Sequence, residues 1–66
     1  MQLKSLVKSE VDYLIQECNF TPTELSYFKH KTSGESDVQI SFELHISTST
    51  VTRIGKGVKN KIHKVL

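Results

Sequence analysis

The stretch from Asp37 to Lys56, DVQISFELHISTSTVTRIGK, constrains the fold of this chain more than any other. Its apolar residues fall at Val38, Ile40, Phe42, Leu44, Ile46, Val51 and Ile54. The alternation from Val38 to Ile46 has the period of a strand, and counting periods does not separate strand from helix there. Capping chemistry does. Ser36 and Gln39 stand at capping-box spacing ahead of one helix, and Ser47 is placed as the N-cap of the next, with Ile46 and Val51 as its hydrophobic staple. The reading is a helix over Asp37–Leu44, a turn at His45-Ile46-Ser47 and a second helix from Thr48. Two short helices joined by a turn of about 3–4 residues form a helix-turn-helix unit.

The chain upstream supports this. Thr21 is a predicted N-cap, Pro22 sits at N1, Glu24 at N3 completes a capping box, and Phe20 and Leu25 are placed as a staple. A helix is expected from Pro22 to about Lys31, with Leu25, Phe28 and Tyr27 as its inward face. Thr32–Ser36 is a loop in which Gly34 supplies a positive φ. Leu3–Cys18 is expected to form an amphipathic helix. Leu3, Val7, Val11, Leu14 and Cys18 make its stripe, and Leu6 and Ile15 widen it. That stripe can pack on the rest of the chain or join two copies, and Leu3, Leu6, Val7, Val11 and Leu14 are the candidate dimerisation residues.

The predicted fold class is all-α: a small helical bundle of about four helices containing a helix-turn-helix, in one domain spanning 1–66. Residues 1–19 form the packing or dimerisation helix, and 20–66 the helix-turn-helix core. The chain has 66 residues and 36% hydrophobic content. One this short buries only roughly 60% of its unfolded surface, which favours a binding module over an enzyme with a deep pocket.

The net charge is a modest +2, but it is unevenly placed. Residues 47–66 carry Arg53, Lys56, Lys59, Lys61 and Lys64 and no acid, whereas all seven acids lie in residues 1–46. A basic segment concentrated on one helix is the footprint of a polyanion binder. A solvated helix whose lysines complement its dipole is the plainer alternative. Val51, Ile54, Val58 and Ile62 form the buried stripe of that helix, leaving Thr48, Ser49, Thr52, Arg53 and Lys56 on its open face. Gly55 and Gly57 are expected to bend or end the helix, or to admit a close approach.

Taken together, Phe20-Thr21-Pro22 with Glu24, Gly34 with Ser36, Ile40, Leu44, Ile46-Ser47 and Thr50-Val51 resemble the DNA-binding domain of LuxR/GerE response regulators. The related fourth region of sigma factors looks similar. The stretch TSTVTRIGKGVK also looks like the reader helix of the Trp-repressor family. The LuxR/GerE resemblance covers about half the chain. It departs where Ser41 replaces the usual alanine, where His45 replaces the usual glycine, and where the family's short final helix is missing or truncated. His45 also opens the turn, where glycine would fit most easily, so it is expected in a left-handed conformation, with a phosphate contact as the alternative role.

The resemblance implies a sequence-specific regulator of transcription that binds double-stranded DNA. Thr48, Ser49, Thr52 and Arg53 would face base edges. Ser47, Thr50, Lys56, Lys59 and Lys61 would face phosphates. The rival reading is a small interaction module that binds polymerase, a sigma factor or a repressor on the same scaffold. A homodimer would set two reading helices on one duplex. Catalysis and metal binding are not expected. His30, His45 and His63 are too widely spaced for a compact metal motif, and Cys18 is a lone cysteine on an apolar stripe. No cofactor motif is present, and GKG at 55–57 lacks the surroundings of a phosphate loop. No apolar run approaches the ~18 residues of a membrane span, and Met1–Leu14 has no leader-like apolar core. The expected location is cytoplasmic.

Overall fold

A computed structural model describes residues 6–66. It contains four helices: α1 (Lys8–Glu17), α2 (Pro22–Thr32), α3 (Asp37–Leu44) and α4 (Thr48–Val65). No strand occurs among the described residues. The expected all-α bundle is the observed architecture. The long helix α4 is its spine: α1, α2 and α3 all pack on it, α2 most extensively.

The first helix starts later than its apolar stripe suggests. Leu3 lies outside the described residues, and Leu6 and Val7 precede the helix. Val7 is extended (φ −80°, ψ 163°) and donates its N–H to Glu10 Oε1 at 3.1 Å. Valine has no side-chain oxygen to return the bond, so only half a capping box forms. At the other end the Cys18 N–H donates to the Leu14 carbonyl at 2.9 Å. Asn19 then turns the chain with φ 49°, which asparagine tolerates better than most residues.

The start of α2 follows its sequence. The Glu24 N–H donates to Thr21 Oγ1 at 3.2 Å, and the Thr21 N–H donates to Glu24 Oε1 at 3.0 Å. The Phe20 ring centroid lies 5.0 Å from that of Phe28, which anchors the chain entering α2. Gly34 (φ 90°) closes the turn after α2. Two side-chain pairs brace this turn: His30 Nδ1 lies 2.5 Å from Glu35 Oε2, and Lys31 Nζ lies 2.8 Å from Asp37 Oδ1.

The capping box at α3 also forms, with Gln39 N–H to Ser36 Oγ at 3.3 Å and Ser36 N–H to Gln39 Oε1 at 2.9 Å. A helix brings i and i+4 to one face. The alternating apolar residues therefore split into two pairs. Ile40 is buried and Leu44 half-buried toward α4, while Val38 and Phe42 face outward at 55% and 75% exposure.

His45 ends α3 in the left-handed region (φ 56°, ψ 44°), as its place in the turn predicts. The Ile46 N–H then reaches the Ser41 carbonyl at 3.1 Å, a Schellman-type closure. Since the left-handed conformation costs a side-chain-bearing residue about 1 kcal/mol or more, His45→Gly is expected to raise stability by about 1 kcal/mol in urea unfolding.

The core holds Leu14 and Cys18 from the α1 end, Tyr27 and Phe28 from α2, Ile40 from α3, and Val51, Val58 and Ile62 from α4. Leu14, a candidate dimerisation residue, is thus used inside its own chain. Leu6 and Val11 pack alongside it, and Val7 is the one described member of that set with an exposed side chain. The reason is the length of α4, whose distal apolar residues need α1 as a lid.

Candidate nucleic-acid interface

Apart from Ser47, its N-cap, and His45 in the turn before it, every residue proposed to touch a polyanion lies on α4, so the continuity of that helix comes first. It runs unbroken for 18 residues through both glycines. Gly55 is buried beneath Tyr27, and a Cβ built there would lie 2.6 Å from Tyr27 Oη. At Gly57 the nearest atom to such a Cβ is Glu24 Oε2, at 3.0 Å. The glycines admit the close approach of α2, one of the roles the sequence left open. They do not end the helix.

With α4 continuous, its outer face is one surface. Thr48, Ser49, Thr52 and Arg53 are all exposed near its N-terminus. Lys56 and Lys59 follow, also exposed. Asn60, His63 and Lys64 extend the same face to the end of the helix. These last three were not among the predicted contacts. The signal was present in the spacing: Lys56, Asn60 and Lys64 stand four residues apart. No acidic residue occurs anywhere on α4.

Two groups of predicted phosphate contacts are placed differently. Lys61 is half-buried and joined to Glu24 in an ion pair, with the Asn19 carbonyl at 3.5 Å. Its ammonium ties α4 to the start of α2, so Lys61 belongs to the packing between helices and not to the open basic face. Ser47 and Thr50 form the cap. Ser47 Oγ accepts the Thr50 N–H at 3.2 Å, and the two hydroxyl oxygens lie 2.9 Å apart. With Thr50 served by Ser47 Oγ and Val51 by the Ser47 carbonyl at 3.0 Å, the amides of Thr48 and Ser49 remain the open donors of the first turn. The Thr52 hydroxyl donates to the Thr48 carbonyl at 3.1 Å, so toward a ligand it offers its oxygen as an acceptor.

The Glu24–Lys61 pair has a pH signature. Burial pushes the Glu24 carboxyl up, but the Lys61 hydrogen bond, the Thr21 backbone bond and the Lys61 charge outweigh it and hold the carboxyl below its usual range. A carboxyl lowered in the folded state contributes stability that is present above its unfolded pKa and lost as pH falls through the folded one. Glu24→Gln keeps the N3 cap and removes the charge. Urea melts across the acid range are therefore expected to show a shallower loss of stability on acidification for Glu24→Gln than for wild type. Equal slopes would mean that the pair contributes nothing.

Two other titratable groups lie in the core, Cys18 and Tyr27. Burial, and then the neighbouring Glu17, raise the Cys18 thiol, which makes it a poor nucleophile. Burial raises the Tyr27 phenol. Among the described residues no three His, Cys, Asp or Glu side chains converge as a metal site would require. No described helix is long and apolar enough to cross a membrane. No protein-family model, curated protein or solved structure matches the chain.

Proposed function

We propose that the chain is a helix-turn-helix DNA-binding domain of the kind seen in LuxR/GerE regulators, and that it acts as a sequence-specific regulator of transcription in the cytoplasm. In this reading α3 and the His45–Ser47 turn set the N-terminal half of α4 into the major groove. The observation that carries it is the open face of α4: exposed Thr48, Ser49, Thr52 and Arg53, followed by exposed Lys56, Lys59 and Lys64, with no acid on the helix.

The dimensions agree. Thr48 to Lys56 spans about 12 Å of helix at about 1.5 Å per residue, close to the width of the major groove. Arg53 is the residue suited to bidentate contact with a guanine edge. Lys59 and Lys64, further along, reach the backbone where the helix leaves the groove. Lys64 takes the place first given to Lys61. The open amides of Thr48 and Ser49 suit a phosphate at the helix N-terminus.

Among the described residues, the exposed apolar side chains that a homodimer joined at α1 could use are Val7, at its N-cap, and Tyr13, both at least half exposed, because Leu14 is buried. As an interaction module, the chain would instead set its α4 face against an acidic surface of a transcription-machinery protein. Titration of isotope-labelled protein with a short random-sequence duplex separates these readings. DNA binding is expected to move the amide resonances of residues 47–60 at low salt and to leave the outer face of α3 unmoved. Absence of any shift would contradict the proposal.

A further inference from the structure

The outer face of α3 is unlike the rest of the surface. Phe42 is 75% exposed and Val38, one turn before it, is 55% exposed, so an aromatic and a branched aliphatic side chain form an i, i+4 ridge open to solvent. Neither position can turn inward, because Ile40 and Leu44 occupy the buried side of this eight-residue helix. The electrostatic setting is the reverse of that on α4. Thr32 to Thr52 contains no lysine or arginine, while Glu35, Asp37 and Glu43 lie in it. Glu35 is paired with His30 and Asp37 with Lys31, which leaves the exposed Glu43, next to Phe42, without an ion-pair partner among the described residues.

We propose that this ridge is a docking site for a cationic amphipathic helix of another protein. Three arguments select that occupant. An i, i+4 ridge is the shape that packs into the groove of a facing helix. An exposed aromatic side chain beside an aliphatic one is the composition of an interface anchor, whereas solvent-facing helix positions are ordinarily polar. The flanking carboxylate of Glu43 complements Lys or Arg on the partner and repels a polyanion, so nucleic acid is not the ligand of this face. The proposal stands apart from the reading of α4, since the two faces differ in charge and share no residue.

The test uses the intact chain without DNA and two synthetic amphipathic helical peptides, one built of Leu and Lys and the other of Leu and Glu. The Leu/Lys peptide is expected to shift the amide resonances of residues 37–43. The Leu/Glu peptide should bind at least about tenfold more weakly, as should the Leu/Lys peptide to Phe42→Ser, the loss typical of an anchor residue. Glu43→Lys is expected to weaken the Leu/Lys peptide and to favour the Leu/Glu peptide. Both substitutions lie on the exposed face, and circular dichroism checks that the helices persist. The proposal is overturned if the Leu/Lys peptide shifts nothing, if it maps to the acids of α1, or if Phe42→Ser binds it as well as wild type does. It is also overturned if sedimentation shows wild-type self-association that Phe42→Ser abolishes, because the ridge would then be covered by a second copy.

Discussion

Gly55→Ala is expected to destabilise the domain by about 1 kcal/mol, although alanine is the better helix former. Two effects of similar size compete. Helix propensity favours alanine by about 0.8–1.0 kcal/mol. Against it, the new Cβ would lie 2.6 Å from Tyr27 Oη and 3.0 Å from Tyr27 Cζ. Tyr27 is 3% exposed, so its ring cannot move aside freely. Forcing a methyl into such a contact costs about 1–3 kcal/mol, which outweighs the gain. Gly55→Val adds two more carbons and should cost about 3 kcal/mol, the upper end of that range. Two companion variants make the cause visible. Tyr27→Phe removes the closest atom, so in that background Gly55→Ala should become neutral or stabilising. Gly57→Ala meets only a carboxylate oxygen of Glu24, at 3.0 Å, and should be neutral or stabilising by up to about 1 kcal/mol. Urea unfolding of wild type, the four single variants and the Tyr27→Phe, Gly55→Ala double variant supplies the comparison. A Gly55→Ala protein more stable than wild type would show that α2 does not approach α4 this closely.

Arg53→Ala is expected to lower affinity for a duplex selected from a random pool by about 1–3 kcal/mol, and to flatten base preference at one position. Lys56→Ala should weaken selected and random duplexes alike, because a phosphate contact carries no sequence information. The contrast depends on where each side chain stands. Arg53 follows Thr52 on the exposed face of the first half of α4, whereas Lys56 starts the basic continuation. Lys61→Ala is the informative control. Its ammonium is joined to Glu24, so its removal should lower the stability of the fold while leaving the salt dependence of DNA binding unchanged. A loss of DNA affinity for Lys61→Ala equal to that for Lys56→Ala, in protein that remains folded, would return Lys61 to the binding face.

The parts of the fold that could be read from the sequence were those fixed by local chemistry. The starts of α3 and α4 follow from Ser36 and Ser47, whose hydroxyls accept the N–H of Gln39 and of Thr50, and from Gln39, whose side chain accepts the Ser36 N–H in return. The left-handed His45 was legible because a short turn leaves few conformations. What could not be read was set by tertiary contact. Two glycines near the middle of a helix look like a break until Tyr27 and Glu24 are seen lying against them. Lys61 looks like one more cation of a basic segment until Glu24 is placed opposite it. The α1 stripe could be read as packing on its own chain or as joining two copies, because nothing local shows that α4 extends far enough to cover Leu14. The inward face of α3 was legible once the alternating run was taken as a helix, because Ile40 and Leu44 stand four residues apart; that leaves Val38 and Phe42 outward.

The most direct test of the DNA-binding reading is the salt dependence of affinity for a random duplex, measured by fluorescence anisotropy for wild type and for the triple variant Lys56→Ala, Lys59→Ala, Lys64→Ala. Each phosphate neutralised on B-DNA contributes about −0.9 to the slope of log affinity against log salt. The wild-type slope is therefore expected to be clearly negative, and the triple variant to lose about 0.9 of its magnitude for each lysine removed. Salt-dependent binding with the same slope in both proteins, or no binding at low salt, would contradict the assignment of the α4 face to DNA.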